Sequence, residues 1–121
     1  MSYSRFGREA EYAAGSCLAN YGWDVFFSKG SRGPADIVAS REDTLLLIQV
    51  KSSTKIPKIR GAEIQNLIQM SEKMSNSYPL LSLVHPHLEC NVNNNTIIFG
   101  NYLINFFILP QWKSADFLKQ K

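Results

Sequence analysis

The chain has 121 residues, an ordinary length for one domain, and we expect a single domain over residues 1–121. Hydrophobic residues make up 45% of it and charged residues 19%, which excludes the disordered and fibrous classes of protein. A net charge of +3 at pH 7 suits a polyanionic partner without requiring one. The apolar runs are far shorter than the ~20 residues that span a bilayer, and the polar first residues are unlike a signal peptide. We therefore expect a cytoplasmic protein with no membrane partner.

The first third of the chain predicts one helix followed by two strands. Apolar and small residues recur at spacings of three and four from Phe6 to Tyr21, which predicts a helix that Gly22 ends. Trp23 to Phe27 is rich in aromatic and β-branched residues and predicts a strand. A turn-forming loop up to Pro34 separates it from a second predicted strand, Asp36 to Ser40.

The next strand is predicted to be central in a sheet. Thr44 to Val50 is an almost continuous apolar run, as in strands that are buried on both faces. A second amphipathic helix is predicted from Gly61 to Ser75, and its exposed face carries Glu63, Gln65, Asn66 and Glu72. Further strands are predicted at residues 79–85, 96–99 and 102–109, followed from Trp112 by a short amphipathic helix or a frayed tail. The order α-β-β-β-α-β-β indicates a mixed α/β fold.

Three polar residues lie in or next to predicted strands that are otherwise apolar. Asp36 stands at the start of one predicted strand, and Gln49 and Lys51 stand at the end of the next. Burying such groups is costly unless they are paired. Because strand side chains alternate, Gln49 and Lys51 share one face while Val50 points to the other. A hairpin through the polar turn at residues 41–43 would place Asp36 beside Gln49 and Lys51.

These residue types fit a divalent-metal site. A carboxylate, here Asp36, supplies most of the attraction, and the Gln49 side-chain oxygen and the Val50 carbonyl can complete an oxygen shell. Lys51 would then lie within reach of the attacking water, where an ammonium group stabilises a hydroxide and the charge that develops on a phosphate. Glu11 is the acid of the first helix best placed to point inward over the sheet, with Glu9 exposed to solvent. The set therefore predicts metal-assisted hydrolysis.

Each of these residues also has an ordinary structural interpretation. Glu11 would be an exposed helix acid. Asp36 would be a turn or cap residue after Pro34. Gln49 and Lys51 would be a strand end emerging into solvent. The specific signal is the combination, in which a loop with a Pro-x-Asp is followed by an apolar strand that ends in Gln-x-Lys.

This combination resembles the PD-(D/E)XK nuclease superfamily, with Pro34-Ala-Asp36, then Gln49-Val-Lys51, and Glu11 on the preceding helix. The match extends from about Gly7 to Ser53. The resemblance implies a restriction-endonuclease-like mixed β-sheet flanked by helices. It also implies a DNA endonuclease that uses Mg²⁺, with Mn²⁺ as a substitute. Glu11, Asp36, Gln49 and Val50 would hold the metal, and Lys51 would assist the nucleophile.

Within this region two segments are similar to archaeal Holliday junction resolvases. GREAEYAAGSCLANYGWDV is similar to their helix and first strand, in which a glutamate lies about eleven residues before the glycine that ends the helix, and this spacing selects Glu11 ahead of Gly22. SKGSRGPADIVA resembles the resolvase loop, in which a serine near the metal contributes to activity. Ser31 is the better match for that serine, and Ser28 is the second choice.

Gln49 departs from the usual superfamily pattern, which has an acid there. The same departure occurs in Mrr-type restriction nucleases and in a cyanobacterial intron-encoded homing endonuclease of this fold, which the SRGPAD and QVKSS segments also resemble. Losing one negative charge should weaken metal binding. Three functions therefore stay open: a junction resolvase, a site-specific homing or restriction-type endonuclease, and a catalytically weak DNA-binding protein of the nuclease fold.

Basic residues surround the predicted site and would contact DNA phosphates, either in a duplex or in a four-way junction, although they would equally form a solvated charged rim. Cutting two strands takes two such sites, so the resemblance implies a homodimer or a larger symmetric assembly. The Phe106 to Leu109 run is a candidate dimer strand. The predicted DNA-binding residues are Arg5, Arg8, Lys29, Arg32, Lys55, Lys58 and Arg60.

Overall fold

The computed structural model describes residues 3–28, 33–52, 61–86 and 96–119, and the side chains of residues 7–28, 33–52, 61–86 and 96–118. Within them a seven-stranded sheet is flanked by helices. In chain order the elements are α1 (Tyr3–Asn20), β1 (Asp24–Phe27), β2 (Ile37–Arg41), β3 (Thr44–Ser52), α2 (Gly61–Glu72), β4 (Ser77–Pro86), β5 (Ile97–Phe99), β6 (Tyr102–Ile108), β7 (Lys113–Ser114) and a 3₁₀ helix (Asp116–Lys119).

Helix α1 ends as the sequence predicts, at Gly22. Gly22 has a φ of 93°, a left-handed conformation that glycine adopts without a steric penalty. The N–H of Gly22 donates to the carbonyl of Ala19 and the N–H of Trp23 donates to that of Leu18, at 3.0 and 3.1 Å. This pair of bonds is a Schellman motif, which satisfies carbonyls that the end of a helix leaves without partners. It turns the chain so that β1 begins at Asp24.

The sheet runs in the order β1-β2-β3-β4-β6-β5, with β7 paired to β6. Every pairing is antiparallel except β3 with β4, which are parallel and are joined through α2. The predicted mixed α/β class is confirmed, and after α2 the structure has four strands, β4 to β7, where the predicted order had two. The central position predicted for β3 is also confirmed.

The middle of β3 is buried on both faces, which explains its almost continuous apolar run. Leu46 and Ile48 pack into a cluster on the α1 side, while Leu47 packs with Leu67 of α2 on the other side. These side chains have no solvent exposure. A strand that contributes to two separate cores cannot alternate apolar with polar residues, so the first polar side chains appear only where the strand leaves the helices.

The C-terminal segment is docked rather than frayed. Leu118 is buried, and its carbonyl accepts hydrogen bonds from Trp23 Nε1 at 3.1 Å and from Arg41 Nη1 at 3.2 Å. The Arg41 guanidinium also donates to the carbonyls of Tyr21 and Phe117, and it lies 4.2 Å from the centre of the Trp23 ring. Arg41 therefore ties the 3₁₀ helix to the end of α1.

The role of Phe106 to Leu109 as a dimer strand stays a prediction, and the structure shows where this run lies in the sheet. These residues belong largely to β6, which pairs with β4 on one side and with β5 and β7 on the other. Between those two short strands the carbonyl of Phe106 accepts from the N–H of Ala115 at 3.0 Å. The strand therefore lies inside the sheet. In the part of the chain that is described, no helix is long and apolar enough to cross a membrane.

Candidate active site

The start of β2 and the end of β3 meet at one end of the sheet, as the predicted hairpin requires. Ile37 pairs with Ile48 at the last step of the β2–β3 ladder. Just beyond it, the N–H of Asp36 donates to the carbonyl of Ile48, and Oδ2 of Asp36 accepts from the N–H of Val50, both at 2.8 Å. The Asp36 side chain thus holds the position that a further ladder residue would otherwise occupy.

Val50 presents its backbone to Asp36. In a strand the N–H and C=O of one residue point to the same neighbour. Since the N–H of Val50 reaches Asp36 at 2.8 Å beyond the last β2 pairing, its carbonyl faces the same edge. The Val50 carbonyl is therefore on the side of β3 on which Asp36 lies.

Gln49 and Lys51 lie on the α2 side of the sheet, on the face that also carries Leu47. The side-chain oxygen Oε1 of Gln49 is buried and has no hydrogen-bond partner among the described residues. An orphaned buried acceptor is costly, and a metal or a substrate group would satisfy it. Gln49 lines an open cleft of about 400 Å³ together with Gly33, Pro34 and residues of α2.

Glu11 approaches the same edge from α1, on the opposite face. Its side chain is half-buried, whereas Glu9 is exposed and accepts a hydrogen bond from the Tyr102 hydroxyl at 3.2 Å. Burial raises the pKa of Glu11, the Asp36 carboxylate raises it further, and Arg8 lowers it. Glu11 and Asp36 are therefore close enough to repel each other when both are ionised.

Asp36 has a raised pKa because burial outweighs its favourable contacts. The Val50 hydrogen bond and the Lys51 charge lower the pKa of Asp36, while Glu63 raises it. The two acids thus lie at a point where negative charge is disfavoured without a cation. Such an arrangement makes the two carboxylates candidates for a functional site.

Glu63 also lies at the candidate site, although the sequence predicted it to be on the exposed face of the second helix. In the structure it is half-buried in the first turn of α2, and its Oε2 lies 2.6 Å from Lys51 Nζ. One feature of the sequence could have indicated that Glu63 is partly buried: it lies one turn before Leu67 on an amphipathic helix. A periodicity argument shows only which side of a helix faces the core, and Glu63 lies at the boundary of that side.

A family model for the archaeal Holliday junction resolvase (Hjc) matches residues 2–115 of the chain. The chain belongs to the archaeal Holliday junction resolvase family. Holliday junction resolvases are nucleases that act on DNA, so membership places this chain among the nucleases and confirms the predicted superfamily. No curated protein matches the sequence.

The fold of this resolvase-family chain is also that of a solved structure. Hjc of the archaeal hyperthermophile Archaeoglobus fulgidus, a Holliday junction resolvase, matches over 84% of this chain and 80% of its own, with a TM-score of 0.56 and 18% sequence identity. The likeness at this identity concerns the fold. It bears out the restriction-endonuclease-like mixed sheet that was expected.

The side chains of this resolvase-family site fit a hard divalent cation. The described residues contain no group of three or more His, Cys, Asp or Glu placed to hold a metal ion. The available donors are instead the carboxylates of Glu11 and Asp36, the Gln49 amide oxygen and the Val50 carbonyl. Mg²⁺ takes oxygen ligands and is commonly held by one or two carboxylates, with waters in the remaining positions. Two mutually repelling carboxylates and one orphaned amide oxygen meet that requirement.

Several predicted residues lie outside the described parts of the resolvase-family chain, and their roles stay predictions. Arg8 is described: it is exposed on α1, one turn before Glu11. Ser28, the second choice for the loop serine, is half-buried, and its N–H donates to the carbonyl of Asp36 at 2.9 Å. Outside the described residues or side chains are Ser31, Arg5, Lys29, Arg32, Lys55, Lys58 and Arg60.

Proposed function

We propose that this chain is a Mg²⁺-dependent endonuclease that hydrolyses phosphodiester bonds in four-way DNA junctions. The observation that carries the proposal is the 2.8 Å bond from the Val50 N–H to Asp36 Oδ2, which brings Asp36 to the strand end that bears Gln49 and Lys51. Glu11 is electrostatically coupled to that carboxylate from the other face of the sheet. Membership of the resolvase family supports the reaction class and the substrate.

The residues of the site have different roles in the proposed hydrolysis. Asp36, Glu11, the Gln49 oxygen and the Val50 carbonyl would bind the metal, and the Val50 N–H fixes the orientation of the Asp36 carboxylate. Bound there, Mg²⁺ supplies a more acidic water and neutralises charge on the phosphate. Lys51 donates a hydrogen bond to the attacking oxygen or to the phosphate, which stabilises the charge that develops. Water adds to phosphorus, one P–O ester bond breaks, and the departing oxygen takes up a proton.

One feature of the chain supports a DNA partner, and the proposed reaction itself requires a paired assembly. Arg8 is exposed beside Glu11, where it can meet a phosphate next to the one that is cut. One site cuts one strand, so resolution of a junction takes two sites related by symmetry. We therefore propose a homodimer or a larger symmetric oligomer.

A cleavage panel tests the proposal. The purified chain is incubated with an immobile four-way junction and with linear, nicked and flapped duplexes of the same sequences, in Mg²⁺, in Mn²⁺ and in EDTA. We expect paired cuts in the junction that need the metal, and linear duplexes of many sequences left intact. Absence of cutting of any DNA in either metal would exclude the nuclease and leave a DNA-binding protein of this fold.

A second candidate is a site-specific homing or restriction-type endonuclease, and Gln49 is the residue that favours it. This amide occupies the acid position in the homing and Mrr-type nucleases that the sequence resembles, and it stands at the same strand end in the structure. Such an enzyme would cut a linear duplex of one sequence in preference to the junction. The same panel, extended by a library of random duplex sequences, separates the two functions.

A further inference from the structure

Glu63 brings an acidic side chain to Lys51, a residue of the proposed catalytic centre. Its Oε2 lies 2.6 Å from Lys51 Nζ, and the two side chains are only 30% and 24% exposed. Glu63 Oε2 is itself buried and has no hydrogen-bond partner among the described residues, so the contact with Lys51 is an ion pair without hydrogen-bond geometry. The Lys51 ammonium thus holds the carboxylate at the centre.

We propose that Glu63 supplies from α2 the negative charge that Gln49 does not supply from β3, so that the metal site is completed by an acid from a different element. This inference rests on the proposed function. Gln49 and Glu63 line the same cleft, and Gln49 Oε1 also lacks a partner among the described residues. The strand position where the superfamily usually has an acid and the carboxylate of Glu63 therefore line the same cleft.

The charges around Glu63 support the same inference. The charge of Glu63 acts on Asp36, and Lys51 is the cation that pairs with Glu63. Without Glu63 the Lys51 ammonium would reduce the attraction of Asp36 for a cation.

A purely structural role explains less. An acid in the first turn of α2 does interact favourably with the helix dipole. That interaction would be served equally by a carboxylate that points into solvent, and a partly exposed ion pair adds little to stability. The dipole does not account for a carboxylate that is turned toward Lys51.

The test measures metal binding in the absence of DNA, by titration calorimetry with Mn²⁺. Wild type is compared with Glu63→Gln, with Gln49→Glu/Glu63→Gln, and with Glu72→Gln as the matched control, since Glu72 is an exposed glutamate at the other end of α2. We expect Glu63→Gln to weaken Mn²⁺ binding about tenfold or more, as loss of supporting groups commonly does. The double variant should recover to within about threefold of wild type, and Glu72→Gln should bind as wild type does.

The outcomes separate this inference from the proposed function. Unchanged Mn²⁺ affinity in Glu63→Gln, with weakened affinity in Asp36→Asn, would overturn the role of Glu63 and leave the nuclease proposal intact. Loss in Glu63→Gln without recovery in the double variant would also overturn it, because Glu63 would then act only through Lys51. Failure of the wild type to bind Mn²⁺ would overturn both. Far-ultraviolet circular dichroism of each variant shows that it is folded, and Glu63→Asp, which keeps the charge, serves if Glu63→Gln does not fold.

Discussion

Oδ2 of Asp36 accepts a hydrogen bond from the backbone N–H of Val50 at 2.8 Å, where β2 begins and β3 ends. This bond links the carboxylate to the strand that carries Gln49 and Lys51. An Asp36→Asn variant keeps an oxygen for the Val50 N–H and loses only the charge, so it separates the chemistry of Asp36 from its structural role.

We expect Asp36→Asn and Lys51→Ala each to reduce Mg²⁺-dependent cleavage of a four-way junction by at least about 100-fold, since each removes a charge directed at the reaction. Binding of the junction should stay within about threefold of wild type, because phosphate contacts elsewhere dominate affinity. Single-turnover cleavage and electrophoretic mobility shift measure the two quantities. Asp24→Asn, at an exposed position of β1, is the matched control. Cleavage at the wild-type rate in either site variant would remove that residue from the mechanism.

Gln49→Glu should tighten metal binding, because it adds a carboxylate at a position whose amide oxygen is already buried without a partner among the described residues. We expect the Mg²⁺ concentration for half-maximal cleavage to fall by about threefold or more. The measurement is a cleavage rate over a Mg²⁺ series at constant ionic strength. An unchanged metal dependence would exclude the Gln49 side chain from the metal site.

The metal-free protein should lose stability as the pH rises through the range in which Asp36 and Glu11 ionise. Burial raises the pKa of Asp36 above 3.8 and that of Glu11 above 4.5, and their mutual repulsion adds to the shift of Glu11. Between the ordinary and the raised pKa values the native state binds more protons than the unfolded state. This contribution to the free energy of unfolding is therefore present at low pH and is lost once the pH exceeds the raised values.

The comparison of wild type with Asp36→Asn isolates that effect. In EDTA, from about pH 4 to about pH 7, the Tm of wild type should fall relative to that of Asp36→Asn, which lacks the Asp36 carboxyl and keeps only Glu11 to ionise. Saturating Mg²⁺ at neutral pH should raise the Tm of wild type and not that of the variant, because a ligand of the native state stabilises it. Parallel Tm profiles of the two proteins would contradict the raised pKa of Asp36.

Arg8→Ala should weaken DNA binding to a similar extent for all sequences and reduce the slope of log affinity against log salt by about one, as expected for the loss of one phosphate contact. Lys113→Ala is the control, since Lys113 is exposed on β7, three strands from β3. Fluorescence anisotropy over a salt series provides the slope. An unchanged slope in Arg8→Ala would show that Arg8 is a solvated surface charge that does not contact a DNA phosphate.

Arg41→Ala should destabilise the fold by about 3 kcal/mol, because it removes charge-assisted hydrogen bonds to three carbonyls and the contact with the Trp23 ring. Arg41→Lys should recover only part of this, since an ammonium group lacks the planar fork of donors. Urea unfolding measures the free energy, with cleavage per folded molecule as the control. A loss below about 1 kcal/mol would show that the C-terminal 3₁₀ helix docks without Arg41.

Local patterns were sufficient for much of the fold and for part of the site. The Schellman motif at Gly22 follows from a helical period that stops at a glycine, and the central position of β3 follows from its unbroken apolar run. The meeting of Asp36 with the end of β3 follows from a short turn between two strands, because hairpin geometry leaves few registers.

The sequence by itself determined the mixed α/β class and the strand-end placement of Asp36, Gln49 and Lys51, since alternation and turn length act within a few residues of each. The nuclease fold was implied by the resemblance of the sequence motifs to a known superfamily. Only the tertiary structure decided that Glu63 meets Lys51 and that β6 lies inside the sheet. The first depends on where the connection between the parallel strands β3 and β4 places α2. The second depends on how the C-terminal strands pair with β4 and with one another. Contacts between elements distant in sequence leave no periodic signal in either element alone.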